Sequence, residues 1–477
     1  MRTGVPLLAR SAGRLVTFLL RAVGRSATTL PGRVALLLDP DLLRRLAHER
    51  LVILITGTNG KTTTARMLTG ILRRSGWTVV DNPAGANLDS GLATALLGAA
   101  RPEAGKPSFA VLEVDEAAFA QTAAQLAPEI CIVTNIFRDQ LDRYGERDLM
   151  RDMIAHGLAA AADARADRGT TFVLCADDPL CESLADPYDA SSSVRVMFIG
   201  MDLADMRPDR DNAEMSDEAA HCPAGGERYR YLSKAYGHLG DYVCPSCGRA
   251  RACPAVRFRT VPADAGGGAL FILSGAADGE EITVPTVISI LGIHNLYNAA
   301  SAIAAATACG ESFKQVCGSL STVAPAFGRM ERLSLGGRTV WMILVKNPAG
   351  MDRALEHVSV APDAGAVFFL LNSGDADGRD TSWIWDARFE DRTLPDLVFV
   401  SGRRVWDMAL RLRYAGFPAA SIRAGEDAGA QLARALEALP PGRALYLLPN
   451  YTAMLELRSG ALRQYGVKVF ERGQQTE

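Results

Sequence analysis

The stretch VILITGTNGKTTTARML, from Val52 to Leu68, decides the fold. Val52–Thr56 is a short apolar run rich in β-branched residues, and Thr62 onward has the pattern of a helix. The order is therefore buried strand, glycine-containing loop, helix. Gly57 and Gly60 stand where the backbone must turn tightly and offer bare N–H groups to an anion. Lys61 is placed to reach terminal phosphates, and Thr62 to supply a hydroxyl to Mg²⁺. The loop is shorter than the common G-x-x-x-x-G-K-[ST]. A Gly-Lys-Thr tripeptide alone is a weak signal; between a buried strand and a helix it is a strong one.

The same texture repeats outward from the loop. SFAVLEVDEAAF, APEICIVTNIF, TTFVLCADDP and VRVMFIG each read as a buried strand, most of them ending in polar residues. Ala/Leu-rich helical stretches separate them, which predicts a mainly parallel sheet covered by helices. From about Met201 the chain turns polar and turn-rich and holds four of the nine cysteines, so residues 205–260 read as a small inserted module. HNLYNAASAIAAATACG resumes the helical pattern, and after APAFGRMERL a second α/β unit begins. Its strands are expected in TVWMILVKNPAG, AGAVFFLLNSGDADGRD, LPDLVFVSG and RALYLLPNYTAML. The predicted organisation is an N-terminal arm over 1–48, a nucleotide-binding domain over 49–327 and a C-terminal α/β domain over 328–477.

At 477 residues the chain exceeds one compact core. Its 48% hydrophobic and 22% charged content is that of a globular protein. A net charge of −3 gives no basic field for nucleic acid. The basic residues are mostly arginine and gather toward the first fifty positions. In that region the longest uncharged run, LVTFLL, is far below the roughly 20 apolar residues of a membrane span. At helical spacing Leu7, Leu8, Leu15, Phe18, Leu19 and Val23 form one apolar stripe. The reading is an amphipathic helix docked on the protein's own surface, with peripheral contact to an anionic membrane as the alternative. No secretory signal follows, so the protein is expected to be cytoplasmic and without a disulfide framework. Cys131, Cys175, Cys309 and Cys317 lie in apolar surroundings as small core residues.

Several segments together resemble the Mur ligase and folylpolyglutamate synthase superfamily. TGTNGKTTT looks like its ATP loop, which implies ATP contacts from Gly57, Thr58, Asn59, Gly60, Lys61, Thr62 and Thr63. LEVDEAAF stands where those ligases carry a Mg²⁺-binding glutamate, here Glu113. Asp115 and Glu116 beside it read as supporting or solvated, or as the ligand if the register is shifted. TNIFRDQLDRYGE, CADDP, LGIHNLYNAASA and FGRMERL resemble further family segments. They imply that Asn295 faces the adenine and that Arg329 belongs to the link into the C-terminal domain. The departures narrow the resemblance. Gln140 replaces the histidine usual in D-H-L-D, and LVKNPAG replaces D-Y-A-H-N-P. ADGRDTSWIWDARFE and LPNYTAMLELR have no counterpart in the amino-acid-adding ligases. These features resemble the MurT family, the ligase-like subunits of lipid II isoglutaminyl synthase. That family's usual LPTYTAML carries Asn450 here.

The resemblance implies an ATP-dependent carbon–nitrogen ligase. It would activate the α-carboxyl of D-glutamate in lipid II as an acyl phosphate, for attack by ammonia from a GatD-like glutaminase. The site of action would be the inner face of the membrane. Lys61 would be catalytic, and Asn87 (in PAGANLDSG), Lys346 and Asn347 would lie on the substrate side. An aspartate of DGRDTSWIWD would complete the partner's triad. Asp386 is preferred to Asp380, with Asp377 the third candidate, because Asp386 follows the aromatic WIW. The alternative is a conventional amino-acid-adding ligase. In the insertion, CPSC (Cys244, Cys247) has the C-x₂-C spacing of a zinc knuckle. The family often pairs it with an earlier C-x₂-C. Here Cys222 remains, but Gly225 occupies the second position. Cys253 or His221 could complete a zinc site; a vestigial ribbon without metal is the other reading.

Overall fold

The computed structural model describes residues 5–22, 28–82, 86–100, 102, 108–137, 147–188, 193–208, 221–261, 269–274, 281–288, 292–322, 329–374, 377, 380–390 and 392–467. Those up to 137 and over 147–322 belong to one compact unit, and those over 329–467 to a second.

The first unit is built on strands β1 (Leu51–Thr56), β2 (Thr78–Asp81), β3 (Ser108–Glu113), β4 (Ile130–Val133), β5 (Thr170–Cys175) and β6 (Val194–Met201). These are followed by β7 (Arg207–Pro208), β8 (Arg230–Tyr236), β9 (Leu239–Val243), β10 (Val256–Thr260), β11 (Ala269–Leu273) and β12 (Ile282–Thr286). Among the described residues, nine of them form one sheet in the order β12-β11-β10-β6-β5-β4-β1-β3-β2. From β2 through β10 the pairings are parallel, and β11 and β12 add antiparallel edges. Unbroken apolar runs make this arrangement. Ile53, Leu54 and Ile55 of β1 and Ala110, Val111 and Leu112 of β3 are fully buried, as strands covered on both faces require. β1 and β4 are neighbours whose onward connections run in opposite directions, from β1 toward β2 and from β4 toward β5. That opens a crevice at the carboxyl ends of the strands, where open α/β sheets bind ligands.

Among the described residues, three helices precede β1: α1 (Val5–Ala22), α2 (Leu30–Leu38) and α3 (Leu42–Ala47). The next are α4 (Lys61–Arg74), α5 (Asp89–Gly98) and α6 (Phe119–Leu126). The expected docking of the apolar stripe is overturned. α1 seats through its small residues instead: Ala9 and Gly13 are buried. A Cβ at Gly13 would stand 2.7 Å from Leu97 Cδ1 and 3.2 Å from Ala35 Cβ, so only glycine allows so close an approach to α2 and α5. Leu7, Leu8, Leu15, Phe18 and Leu19 are left exposed, and Val23 lies outside the described residues.

β7, β8 and β9 form a separate three-stranded ribbon. Val256–Thr260, read from the sequence as part of the insertion, is a strand of the main sheet, parallel to β6 and antiparallel to β11. Its VRFRT alternation buries Val256 and Phe258 and turns arginines outward, a pattern shared by any half-exposed strand.

The second unit carries β13 (Arg329–Leu335), β14 (Arg338–Ile343), β15 (Ala364–Leu370), β16 (Val398–Ser401), β17 (Ile422–Ala424) and β18 (Ala444–Pro449). Its sheet runs β13-β14-β18-β15-β16-β17, parallel except for the β13–β14 hairpin. Two apolar clusters cover its faces, one around Phe369 and Phe389, the other around Phe368 and Leu447.

Candidate active site

The loop after β1 is held by glycine geometry on both sides. Gly57 has φ +114° and Gly60 φ +92°, backbone that side chains with a Cβ rarely adopt. A Cβ on Gly57 would meet Thr134 Oγ1 at 2.5 Å, and one on Gly60 would meet Asn298 Oδ1 at 2.1 Å. The loop is also stitched to the end of β4. Thr58 N donates to Asn135 O (2.9 Å), Asn59 N to Asn135 Oδ1 (3.0 Å), and Asn135 Nδ2 back to Asn59 O (3.0 Å). Thr58 Oγ1 donates to Phe137 O and accepts from Phe137 N, both at 3.0 Å. The loop N–H groups and the start of α4 are thus preorganised for an anion.

Two side-chain pairs flank it, Lys61 with Glu116 and Thr62 with Glu113. Lys61 Nζ donates to Gly57 O (2.6 Å) and to Glu116 Oε1 (2.5 Å). Thr62 Oγ1 donates to Glu113 Oε2 at 2.6 Å. Glu113 is buried at the carboxyl end of β3 and held there by Asn82, whose Oδ1 accepts from Glu113 N (2.9 Å). Asn82 Nδ2 in turn donates to Glu113 O (3.0 Å) and Ala86 O (2.9 Å). Two adjacent oxygen donors, one anionic, fit a hard cation such as Mg²⁺. Of the three neighbouring carboxylates, Glu113 is the one that meets the Thr62 hydroxyl. Glu116 and Asp115 are buried rather than solvated. Glu116 neutralises Lys61, and Asp115 Oδ1 accepts from Ala117 N (3.2 Å).

Asn87 O accepts from Asp115 N (3.1 Å), which sets that segment beside Glu113; residues 83–85 of its loop lie outside the described residues. Thr63 is buried in the first turn of α4. Asn295 is buried on the helix Ile293–Ala308, and its Oδ1 accepts from Nδ2 of Asn298 (3.2 Å), the side chain that stands against Gly60. Gln140 lies outside the described residues. Asn82, Asn135 and Asn298 take part in this site although sequence reading did not single them out. Asn135 and Asn298 sat inside the quoted TN and HNLYN segments; Asn82 had no signal beyond its place after a strand.

In the second unit Arg329 opens β13; its side chain is not among those described. Asn347 is buried and caps the helix Pro348–Val360 through Oδ1, which accepts from Gly350 N (2.9 Å). Lys346 precedes it, half-buried. Asp377 is buried, accepting from Thr452 N (2.9 Å) and from the Thr452 hydroxyl. Asp380 is exposed but accepts from Ser382 N (2.8 Å) and Oγ (2.9 Å). Asp386 is exposed and follows Trp385, which is exposed too and packs edge-on to Tyr414 at 5.5 Å between ring centroids.

The ribbon brings Cys222, Cys244 and Cys247 together, their sulfurs within 4.8 Å of one another. Two tight turns carry them: Gly226 N donates to Cys222 O, and Gly248 N to Cys244 O. Gly225 faces the sulfurs. An added Cβ there would lie 2.9 Å from Cys244 Sγ and 3.0 Å from Cys247 Sγ. Cys253 and His221 are exposed and outside this group. Burial would raise the Cys222 thiol, but the neighbouring Tyr229 hydroxyl, the N–H groups of Gly225 and Ala224 and the Cys247 thiol outweigh it, bringing it to about 7. The donor set suits a thiophilic metal with three protein ligands, not a closed four-cysteine site.

The chain matches the Mur ligase middle domain over residues 55–231 and the MurT ligase C-terminal domain over 344–454. It superposes on a pseudomurein peptide ligase type C from Methanothermus fervidus with a TM-score of 0.63 at 21% identity, covering 91% of this chain and 80% of that one. MurF from Acinetobacter baumannii gives 0.63 at 18%, covering 90% and 80%. The fold is therefore that of the Mur ligases. The MurT subunit of lipid II isoglutaminyl synthase (glutamine-hydrolyzing) from Streptococcus pneumoniae is 35% identical over 449 residues, 94% of this chain and 95% of that protein. The corresponding subunit from Staphylococcus aureus is 31% identical over 400 residues, 83% of this chain and 84% of that protein. Matched over most of its length by these subunits and over 344–454 by the MurT ligase C-terminal domain, the chain belongs to the MurT family.

Proposed function

We propose that this chain is the ligase subunit of a glutamine-dependent lipid II isoglutaminyl synthase, amidating the α-carboxyl of D-glutamate to D-isoglutamine in peptidoglycan synthesis. What carries the reading is the phosphate loop with Lys61, Thr62 and Glu113 in one geometry, inside a chain similar throughout to MurT subunits.

Those residues support an acyl-phosphate route. A carboxylate oxygen attacks the γ-phosphorus of ATP and ADP leaves, giving an acyl phosphate. Ammonia then attacks the carbonyl carbon, phosphate leaves, and the surplus proton from nitrogen passes to it. Gly57 to Thr63 cradle the phosphates through backbone N–H groups. Lys61, released from Glu116 as phosphate arrives, neutralises the charge that develops on the transferred group. Thr62 and Glu113 would hold Mg²⁺, which would supply neutralisation of phosphate charge. Asn295 lines the base side of the nucleotide, Asn87 the substrate side. By the family resemblance Arg329 is a candidate nucleotide-binding residue and Lys346 a candidate substrate-binding residue. Asn347 serves there first as a helix cap.

Ammonia is mostly protonated at neutral pH, so its release beside the acyl phosphate by a GatD-like glutaminase makes physical sense. Asp386 is our choice for the aspartate lent to that partner's triad. Asp377 is buried on Thr452, whereas Asp386 is exposed and follows Trp385 of the exposed Trp385–Tyr414 pair. Three thiolates of the ribbon would hold zinc, with the fourth place open to a non-protein ligand. The lipid-linked substrate sets the site of action at the inner face of the membrane.

The test supplies purified chain with ATP, Mg²⁺, lipid II and an ammonium salt. The expected product is lighter by about 1 Da, OH exchanged for NH₂, and absent with Lys61→Ala. Ligation of an amino acid in place of ammonia would return the chain to the conventional Mur or folylpolyglutamate ligases.

A further inference from the structure

α1 turns its apolar side away from the protein. Leu7, Leu8, Leu15, Phe18 and Leu19 are each between 53% and 68% exposed, while the helix seats itself through Ala9 and Gly13. Projected down the axis at helical spacing, those five residues share one arc that holds no charge; Arg10 and Arg14 stand on its flank, between the arc and the buried side. Burying such an arc against the protein would have been favourable, so its exposure in a folded chain marks a surface made for another phase.

The charge beside it identifies that phase. Residues 1–38 carry six arginines and no aspartate or glutamate; the first acidic side chain is Asp39. An uncharged arc flanked by arginines is complementary to an anionic bilayer surface, where apolar side chains enter the acyl boundary and guanidinium groups meet headgroups. No described helix is long and apolar enough to cross a membrane, which leaves α1 lying in the interface plane.

We infer that α1 is a peripheral membrane anchor that binds anionic lipid through Leu7, Leu8, Leu15, Phe18 and Leu19, with Arg10 and Arg14 at the headgroups. The inference goes beyond the ligase reading and rests on the helix alone. Such an anchor confines the catalytic unit to the surface on which a lipid-linked substrate diffuses.

The experiment is flotation of the full chain with vesicles of phosphatidylcholine alone or mixed with phosphatidylglycerol, without nucleotide or lipid II. The chain should float with the anionic vesicles, partition at least about tenfold less to the neutral ones, and release as salt rises. Leu15→Glu with Phe18→Glu should reduce partitioning about tenfold or more, with an unchanged melting temperature, because both side chains already face water. Arg10→Gln should weaken binding to anionic vesicles only. No flotation of the unmodified chain, or equal flotation of the double variant, would overturn the inference. So would absence of vesicle binding together with a dimer that the double variant dissolves, which would give the face to a protein contact. Amide synthesis is measured separately, so failure here leaves the ligase reading standing, and the reverse holds.

Discussion

Glu113 is useful only if its carboxylate reaches Thr62, and Asn82 is the residue that ensures it. Its side-chain amide satisfies both backbone groups of Glu113 and the carbonyl of Ala86 in a buried setting. Asn82→Ala leaves those groups unpaired, at about 1–3 kcal/mol for each that finds no water. The expected outcome is a lower melting temperature and a raised Mg²⁺ requirement for ATP turnover, read from a metal titration; an unchanged titration would make Asn82 purely structural. A second prediction separates the surface aspartates. Asp386→Asn should depress glutamine-driven amidation by a factor on the order of 10²–10⁴, as loss of a histidine-orienting carboxylate does, while leaving ammonia-driven amidation intact. Asp380→Asn should leave both nearly unchanged. Reversal of the two would move the triad residue to Asp380.

At the scale of elements, the ribbon cluster is controlled by one missing side chain. Glycine at 225 lets the thiols of Cys244 and Cys247 close over the place of a fourth ligand. Zinc, measured by elemental analysis of the purified chain, is expected near one equivalent and should be stripped by a chelator faster than from a Gly225→Cys variant, whose fourth thiolate closes the site. Cys247→Ser should lose it altogether. Much of this was readable in advance, since C-x₂-C spacing dictates a knuckle wherever the turn is tight. Strand–loop–helix at Val52–Leu68 was equally readable, because glycine positions and apolar runs are local properties. Pairing is not local. Lys61 with Glu116 depends on how β3 lies beside β1, and no spacing announces it. The face of α1 that meets the protein was misread for a related reason. Periodicity finds an apolar stripe, but close approach favours Ala9 and Gly13, and it was the small residues that docked.

Across the molecule, the inserted ribbon and the nucleotide loop are mechanically joined, although about 180 residues separate Thr58 from His238. The ribbon is seated on the exit of β5 through Asp177. Its carboxylate accepts from Arg251 Nε (2.7 Å), Met201 N (2.8 Å) and the Tyr297 hydroxyl, while its carbonyl accepts from Gly240 N (2.9 Å). From that seat Tyr236 stacks on Phe137 at 5.8 Å and His238 packs edge-on to it at 4.5 Å. Phe137 is the residue whose backbone clasps Thr58 of the loop. Removing the Tyr236 ring leaves a cavity beside Phe137 and a loosened backbone where the loop is stitched. Tyr236→Ala should therefore weaken ATP binding several-fold and cost about 3–5 kcal/mol of stability, the range for buried aromatic truncation. Tyr236→Phe, which keeps the ring that stacks, should lose far less of either. Titration of ATP against each variant, with metal content measured in parallel, checks the coupling. Weakened nucleotide binding at undiminished metal content would trace the effect through Phe137; loss of metal first would trace it to collapse of the ribbon instead.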